Sequence, residues 1–373
     1  MKFTTTIKKL QDAVSKVILA VPSKSLDARF DNVHLLLEDG SLTLFASDGE
    51  LSITAKCEVS SSDRGSVGIK ARTLQDFLRS MYDTSVTFDI ERQPGAEQGM
   101  VHIATDKGKY RMPCMFGDKP ESHKRNFDLS IGLKPAELQD VIHKTLFACS
   151  VDGMRPAMMG VLFEFQAGGL TAVATDGHRL VRCRKKSTTD IPEKQKIVVP
   201  SRALSIIQRL LQNDEVNMAV DSERRNIRFQ SENVELESAL IVETYPNYEA
   251  VIPVENDKKM VVERMQIHDS VKRVGKFSSI GDIKIVIEGP LMKIMAENAS
   301  EGESAQEELP CVFTGEAITI GFNSRFVEAA LAHIETDEVS MELSSPTTAV
   351  IFKPGNEDQE DFIILVMPVR INN

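Results

Sequence analysis

The chain has 373 residues, with 44 Lys and Arg against 55 Asp and Glu, and a formal net charge of −11. Its apolar content of 42% and charged content of 27% are typical of an ordinary globular protein. The apolar runs are far shorter than the roughly 18 residues that a membrane span needs, and the charged start predicts no signal peptide. We therefore expect a cytoplasmic protein of two or three domains.

The five cysteines are odd in number and include no Cys-x-x-Cys pair. This pattern predicts small buried thiols in a reducing compartment and excludes a disulfide framework or a cysteine zinc site. We expect no metal and no cofactor.

The first predicted element is a helix, because apolar residues near the start of the chain share one helical face. The same pattern occurs three times: Leu10, Val14, Val17 and Ile18; Leu138, Val141, Ile142 and Leu146; and, more weakly, Ile267, Val271 and Val274.

A hairpin pattern follows each of these helices. Asn32–Gly49, Gly160–Gly177 and Asp282–Ala299 each contain an apolar strand, a turn, a second alternating strand and a small polar turn. The first two segments align without a gap at an offset of 128, and the second and third at 122. Such self-similarity at a fixed period indicates a repeated structural unit.

The repeat continues with a strand that runs into a second helix, and then with another alternating strand. The strand-to-helix segments are Ile69–Leu74, Val199–Leu204 and Phe322–Val327, and the strands after them are Ser85–Ile90, Glu215–Val220 and Glu338–Leu343.

We therefore predict three domains of one α+β fold, at residues 1–129, 130–253 and 254–373. Each is expected to contain two helices packed on one face of an antiparallel sheet of roughly eight strands. Two polar stretches, Glu297–Glu308 and Ser187–Glu193, are predicted to be surface loops.

The segments Ala174–Leu180 (ATDGHRL) and Val366–Arg370 (VMPVR) together resemble the bacterial DNA sliding clamps, the beta subunits of DNA polymerase III. Met1–Thr4, Tyr245–Tyr248 and Gly321–Asn323 are also similar to that family, and the resemblance spans the whole chain in order.

The resemblance implies a DNA polymerase processivity factor without catalytic activity. Two copies would form a head-to-tail homodimeric ring around duplex DNA, with the helices lining the hole. Each chain would have the DNA clamp fold and make up half of the closed ring. The expected partners are double-stranded DNA, bound without sequence preference, the DNA polymerase III alpha subunit, the clamp loader and other proteins with a clamp-binding motif.

Basic residues on the predicted helices, in a chain of acidic balance, would give such a ring a positive lining that attracts phosphate. The candidates on helices are Lys9, Lys16, Arg72, Arg79, Lys144, Arg202, Arg209, Lys272 and Lys276, and Lys24 is a candidate in the loop Val21–Phe30. For any single residue, a solvated helix face is the alternative.

The resemblance also implies a groove between the second and third domains that binds partner peptides. Carried onto this sequence, it comprises Met158, Gly160, Thr175, Gly177, His178, Arg179, Leu180, Pro246, Val251, Asn323, Phe326, Thr347, Leu365, Val366, Met367, Pro368, Val369 and Arg370. For each apolar member, burial in the core is the alternative. Where the family commonly has a basic residue after Tyr248, this chain has Glu249 and Ala250, so its peptide preference is expected to differ.

The pair Asp176 and His178 raises the alternative of a hydrolase. The repeat argues against it, because Asp48 and Asn298 stand where Asp176 does, and Asp and Asn share a turn-forming side chain. His178 is not repeated. A further alternative is an interaction scaffold that never encircles DNA.

For the dimer interface we name Tyr110 and Met112, in an edge strand of the first domain that would pair with the third domain of another copy.

Overall fold

A computed structural model describes residues 1–25, 27–93, 95–117, 125–166, 168–186, 195–210, 216–355 and 361–371. Within these ranges the three predicted repeats contain the same elements in the same order. Each has two α-helices, and the repeats have eight, eight and nine strands in turn.

The first repeat begins with a strand and a helix whose buried residues, among them Leu10, Val14 and Val17, recur every three or four positions. The Thr6 hydroxyl caps this helix by accepting the Lys9 amide at 3.3 Å. Its elements are β1 (Lys2–Thr6), α1 (Ile7–Val17), β2 (Asn32–Glu38), β3 (Ser41–Ser47), β4 (Leu51–Glu58), β5 (Gly65–Lys70), α2 (Ala71–Ser80), β6 (Ser85–Glu91), β7 (Gln98–Ala104) and β8 (Lys109–Met115), with short 3-10 turns at Ile18–Ala20 and Ala28–Asp31.

The second repeat has the same sequence of elements. They are β9 (Phe127–Ile131), α3 (Pro135–Thr145), β10 (Gly160–Gln166), β11 (Gly169–Thr175), β12 (Arg179–Lys186), β13 (Gln195–Pro200), α4 (Ser201–Leu210), β14 (Asn217–Asp221), β15 (Asn226–Gln230) and β16 (Val234–Ala239), with 3-10 turns at Leu146–Ala148, Pro156–Met159 and Tyr248–Val251.

The third repeat adds one three-residue strand. Its elements are β17 (Lys258–Glu263), α5 (Arg264–Val274), β18 (Asp282–Glu288), β19 (Leu291–Asn298), β20 (Glu303–Pro310), β21 (Val312–Thr314), β22 (Ile318–Asn323), α6 (Ser324–Ala332), β23 (Glu338–Leu343), β24 (Val350–Pro354) and β25 (Asp361–Val366), with a 3-10 turn at Gly275–Phe277.

The hairpin registers confirm the alignment of the repeats. His34 pairs with Phe45, Leu162 with Val173, and Lys284 with Met295. These residue numbers are related by the same offsets, 128 and 122, that align the three segments of sequence. The second helices begin at Ala71, Ser201 and Ser324, where the sequence predicts them.

Two sequence expectations need correction or lie outside the described ranges. Glu297–Glu308 is not a loop: it contains the end of β19 and most of β20, which pair through residues such as Met295 with Gln306. Its side chains on both faces are partly or fully exposed, so the strand lacks the apolar alternation that would reveal it. The whole of Ser187–Glu193 lies in the gap between Lys186 and Gln195, outside the described residues.

The chain divides into two compact units, and every sheet lies within one of them. The first unit, Met1–Glu137 with Arg202–Leu240, contains a twelve-stranded sheet in the order β1-β6-β7-β8-β5-β2-β3-β4-β16-β15-β14-β9. The second unit, Leu138–Ser201 with Ile241–Asn373, contains a nine-stranded sheet, β13-β10-β11-β12-β25-β24-β23-β17-β21, and a four-stranded sheet, β20-β19-β18-β22. All named strand pairs among the described residues are antiparallel.

The five cysteines are free thiols, as expected. Cys57, Cys114, Cys183 and Cys311 are buried, and Cys149 is half-buried. Burial raises the pKa of Cys57, Cys114 and Cys311, and it raises the pKa of Cys149 to about 12. These four thiols are therefore protonated.

Candidate functional site

The turn between β11 and β12 uses its carboxylate for structure. Oδ1 of Asp176 accepts the His178 amide at 2.9 Å and the Arg179 amide at 3.0 Å. The Thr175 hydroxyl donates to the Arg179 carbonyl at 2.7 Å, and Gly177 has a left-handed φ of 88°. These contacts close a tight turn from within.

The first repeat builds the same turn. Oδ1 of Asp48 accepts the Glu50 amide at 2.9 Å and the Leu51 amide at 2.7 Å, and Gly49 has a φ of 97°. The turn role predicted for the repeated Asp is therefore confirmed.

Arg179 leaves this turn and lies between two aromatic rings. Its guanidinium carbon is 5.2 Å from the centre of the Phe147 ring and 5.1 Å from that of Phe326. Nε donates to Oδ2 of Asp176 at 3.0 Å, and Nη2 donates to the Phe147 carbonyl at 2.6 Å. The His178 ring stacks on the other ring, Phe326, at 5.7 Å between centres.

Leu180, the residue after Arg179, belongs to a cluster of buried apolar residues, which we name the floor cluster. It gathers residues from β10 to β13, from the Tyr248–Val251 turn and from the last strands: Leu162, Val173, Leu180, Val198, Tyr248, Ala349 and Leu365, with Ile241, Tyr245 and Ile252 packed against it. The Tyr248 hydroxyl donates to Oε2 of Glu164 at 2.6 Å, which satisfies the one polar atom that this ring brings into the cluster.

The residues that follow β25 are hydrogen-bonded to two other parts of the second unit. Strand β25 pairs with β12, and beyond it the Met367 amide donates to the His178 carbonyl at 2.9 Å. The Val369 amide donates to the Gly321 carbonyl, also at 2.9 Å. A side chain at position 321 would lie 2.7 Å from the Val369 carbonyl oxygen, so glycine permits this approach.

The eighteen predicted groove residues differ in exposure. Gly177, His178, Val251, Thr347, Met367 and Arg370 are exposed; Met158, Arg179, Pro246, Asn323, Phe326, Pro368 and Val369 are half-buried; and Gly160, Thr175, Leu180, Leu365 and Val366 are buried. We name His178, Val251, Phe326, Thr347 and Met367 the docking surface.

The five buried members therefore cannot contact a partner in the way an exposed residue does. Leu180 and Leu365 belong to the floor cluster. Gly160 lets β10 pack closely on β13, because a Cβ there would lie 2.5 Å from the Val199 carbonyl oxygen. Asn323 also has a structural role, since its Oδ1 caps α6 by accepting the Arg325 amide at 3.1 Å.

Glu249, which stands where the family commonly has a basic residue, is part of an ion-pair network. It follows Tyr248 of the floor cluster in the chain. Arg184 donates to Glu249 at 3.3 Å and to Asp361 at 2.9 Å. Burial alone would raise the pKa of Asp361, but hydrogen bonds from Arg184 and Arg182 outweigh it and hold that pKa below its usual value. Glu249 is thus a paired acid on the surface.

Sequence reasoning did not identify Phe147, His143 or His333. The His333 ring stacks on Phe147 with 3.8 Å between centres, and His143 lies 5.0 Å from His333. Phe147 and His333 are 186 positions apart in the chain, and no local pattern links them.

Of the ten basic candidates for DNA contact, nine have exposed or half-buried side chains. The prediction for Lys144 is wrong, because its side chain is buried. Lys144 is only 4% exposed, and its ammonium lies 2.9 Å from Oδ1 of Asp140. Lys9 pairs with Glu58 at 3.3 Å, Arg202 pairs with Asp48, and Arg72 donates to the Ser23 carbonyl at 3.2 Å.

The two interface candidates also differ. Tyr110 is 39% exposed, with its ring 5.0 Å from that of Phe77, whereas Met112 is 6% exposed and belongs to the core. Strand β8 pairs along its length with β7, but with β5 only through Cys114 and Met115. Among the described strands, the other side of Lys109–Pro113 therefore has no partner.

Among the described residues, no three His, Cys, Asp or Glu side chains come together in a way that could hold a metal ion. No helix in the described ranges is long and apolar enough to cross a membrane.

Known proteins match the chain over its whole length. Three family models match in order: the N-terminal domain of the DNA polymerase III beta subunit at residues 1–109, its central domain at 132–247 and its C-terminal domain at 249–370. The beta sliding clamp of Pseudomonas aeruginosa is 25% identical over 375 residues, which cover 100% of both chains.

Solved structures agree with these matches. The DNA polymerase sliding clamp from Pseudomonas aeruginosa aligns with a TM-score of 0.91 at 26% identity, and it covers 100% of both chains. The sliding clamp from Bartonella birtlesii, bound to griselimycin, aligns with a TM-score of 0.92 at 26% identity and the same full coverage.

Proposed function

Because this chain belongs to the family of DNA polymerase III beta subunits, the bacterial sliding clamps, we propose that its docking surface binds the short peptides of replication proteins. As a member of that family it is a processivity factor, an accessory subunit of the polymerase without catalysis of its own. Asp176 and His178 support this, since the carboxylate is used within its turn and the imidazole stacks on a ring.

One observation carries the docking proposal: exposed apolar side chains lie next in the chain to residues of the floor cluster or packed against it, Val251 before Ile252 and Met367 two positions after Leu365. Val251 is 55% exposed and Met367 is 39% exposed, and the backbone of Met367 is hydrogen-bonded to His178, whose ring covers Phe326. Leucine and phenylalanine anchors of a peptide would bury these groups, and the flexible Met367 side chain adapts to different partners. The DNA polymerase III alpha subunit and the clamp loader are the partners that the family implies.

The same family membership gives the assembly. Two copies close head to tail into a ring around duplex DNA, each contributing three domains, at residues 1–129, 130–253 and 254–373. Two edge strands suit this contact. Strand β8 carries Lys109 and Arg111, whereas β20, which pairs only with β19 among the described strands, carries Glu303, Glu307 and Glu308. Glu307 and Glu308 already pair with Arg273 and Lys293 within the chain, so the unpaired backbone of the two edges suits pairing between copies more than their charge does.

The helices supply the positive charge for DNA. Arg72, Arg79, Arg209, Lys272 and Lys276 have exposed side chains on or next to α2, α4 and α5. In a chain of net charge −11 these helix faces would attract phosphate without reading bases, so the ring would slide on DNA in the cytoplasm.

Fluorescence polarisation of a labelled peptide of the Gln-Leu-x-Leu-Phe type tests the docking surface. We expect micromolar binding by the intact protein, and at least about tenfold weaker binding by Val251→Glu, because a charge would then face apolar anchors. Val254→Glu is the matched control, since Val254 is an exposed valine three residues further on and outside the docking surface.

Loss of binding in Val251→Glu alone would support the site. No binding by the intact protein, or equal losses in both variants, would show that the peptide site is not here. A variant that lacks Met367–Asn373 gives a second measurement, because it removes the residues that follow β25 while circular dichroism reports whether the fold remains.

A further inference from the structure

Six side chains form a stack that begins with two residues of the docking surface. In order they are His178, Phe326, Arg179, Phe147, His333 and His143. The first three belong to the predicted groove, and the last three do not. The stack joins β12 to the end of α3 and to the end of α6, all within the second unit.

We propose that Phe147 and His333 are positioning residues for peptide docking, and that they hold the Arg179 guanidinium against Phe326 only while the His333 imidazole is neutral. This inference rests on the proposed function. It adds two residues, distant from each other in the chain, that the peptide need not touch.

Phe147 holds Arg179 in two ways. Its ring covers one face of the guanidinium at 5.2 Å, and its carbonyl accepts the Nη2 proton at 2.6 Å. The guanidinium carbon is also 5.1 Å from the centre of the Phe326 ring, and Phe326 in turn stacks with the His178 ring. If the Phe147 ring were removed, the arginine would lose one of its two aromatic faces, and Phe326 would lose a fixed cation to pack on.

His333 stacks on the ring of Phe147. Its ring lies nearly parallel to the phenyl ring, with 15° between the planes and 3.8 Å between the centres. Its Nδ1 lies 2.8 Å from the Ala329 carbonyl oxygen, so this nitrogen carries the proton of the neutral ring and donates it. The stack therefore has a fixed end at α6.

Protonation of His333 would place a second cation next to Phe147. In the part of the chain that the structure describes, the charged or titratable groups that act on His333 are His143 from α3 and Arg179 from β12, and both are basic. Burial lowers the pKa of His333, and these two neighbours lower it further, although the hydrogen bond to Ala329 opposes them in part. A lowered pKa means that the neutral stack is fully favoured above the ordinary histidine pKa and is lost as the pH falls through the lowered value.

The test is the affinity for the same labelled peptide at pH 7.5 and at pH 5.5, measured for Phe147 and His333 variants. At pH 7.5 we expect Phe147→Leu to weaken binding about three- to tenfold, the range of a lost cation–π contact, and Phe147→Tyr to bind as the intact protein does. His333→Phe keeps the ring stack but cannot be protonated, so we expect it to bind normally at pH 7.5 and to lose less affinity than the intact protein at pH 5.5.

The controls separate this inference from the proposed function. The intact protein and His333→Phe share every other histidine, so only the difference between their pH profiles reports on His333. His102→Phe removes an exposed histidine of β7, in the first unit, and should leave the profile unchanged.

If the intact protein binds no peptide, the proposed function fails. If it binds, but Phe147→Leu binds equally well or His333→Phe keeps the pH profile of the intact protein, the inference is overturned. Thermal unfolding identifies any variant that has lost its fold, and if Phe147→Leu is such a variant, the pH profile of His333→Phe decides.

Discussion

Asp176 and Asp48 show at the residue scale how one side chain can serve structure in a place that suggests catalysis. Each carboxylate accepts two backbone amides of its own turn, and each also pairs with an arginine, Arg179 for Asp176 and Arg202 for Asp48. Asn298 holds the equivalent position in the third repeat, where its Oδ1 accepts the Ser300 hydroxyl at 2.7 Å. The turn needs the oxygen more than the charge.

This distinction makes a prediction about stability. Asp48→Ala removes both amide contacts, and we expect it to lower the free energy of unfolding by about 1–3 kcal/mol. Asp48→Asn keeps an accepting oxygen and should cost less than Asp48→Ala. Urea unfolding of the two variants measures the difference, and equal losses would show that the charge, paired with Arg202, matters more than the turn.

The sequence predicts these turn residues because their contacts span two or three positions. It cannot predict the Phe147–His333 stack, whose members meet only through the fold. Met112, predicted as a dimer contact, is buried for a related reason. Tyr110, Met112 and Cys114 alternate onto one face of β8, but only the last two are covered, while Tyr110 lies at the strand end against Phe77.

Helix α3 shows at the element scale why a basic residue on a helix does not have to face solvent. Asp140 and Lys144 are four positions apart on α3, and Lys185 of β12 approaches the same carboxylate at 2.7 Å. The Lys144 ammonium also lies 5.4 Å from the centre of the Phe362 ring of β25. The helical pattern shows the first pair, but the contacts from β12 and β25 depend on the packing.

We predict that Lys144→Met destabilises the protein by about 1–3 kcal/mol, because it leaves the partly buried Asp140 with one cation fewer. Lys272→Met, on the exposed face of α5, is the control and should change stability by less than about 0.5 kcal/mol. Chemical denaturation at pH 7 measures both variants. Similar values would mean that the pair with Asp140 contributes nothing.

Acid should reduce the contribution of the Lys144–Asp140 ion pair to the free energy of unfolding. Burial raises the pKa of Asp140, but hydrogen bonds from Lys185 and Lys144 lower it by more, so the net shift is downward. A carboxyl with a lowered pKa stabilises the fold at pH values above its ordinary pKa and loses that effect as the pH falls through the shifted value. The difference between the intact protein and Lys144→Met should therefore shrink in strong acid.

The whole molecule is a threefold repeat in sequence, and the hairpin registers repeat with the same offsets. The compact units do not follow that repeat, because strands β14–β16 extend the sheet of the first repeat, while β10–β13 join strands of the third. Sequence periodicity predicts the repeated elements well. It cannot predict which neighbouring sheet each half of the middle repeat extends, since edge-strand pairing is set by the assembled fold.

Assembly of two copies gives the last prediction. Tyr110→Glu places a charge on the unpaired edge of β8, and we expect it to weaken dimerisation by at least about tenfold. Val254→Glu, which also adds a charge at an exposed apolar position, should remain dimeric. Sedimentation at micromolar concentration distinguishes the two variants, and an unchanged dimer in Tyr110→Glu would exclude Tyr110 from the contact.

The protonated cysteines have a practical consequence for watching this protein at work. Thiol-directed dyes react with thiolates, and burial raises the pKa of Cys57, Cys114, Cys149 and Cys311, which disfavours their thiolates at neutral pH. A single cysteine introduced at an exposed position should therefore label first, without removal of the native ones. Since the chain has no tryptophan, one introduced indole would also be its only indole emitter, so that ring opening and partner arrival could be followed in one preparation.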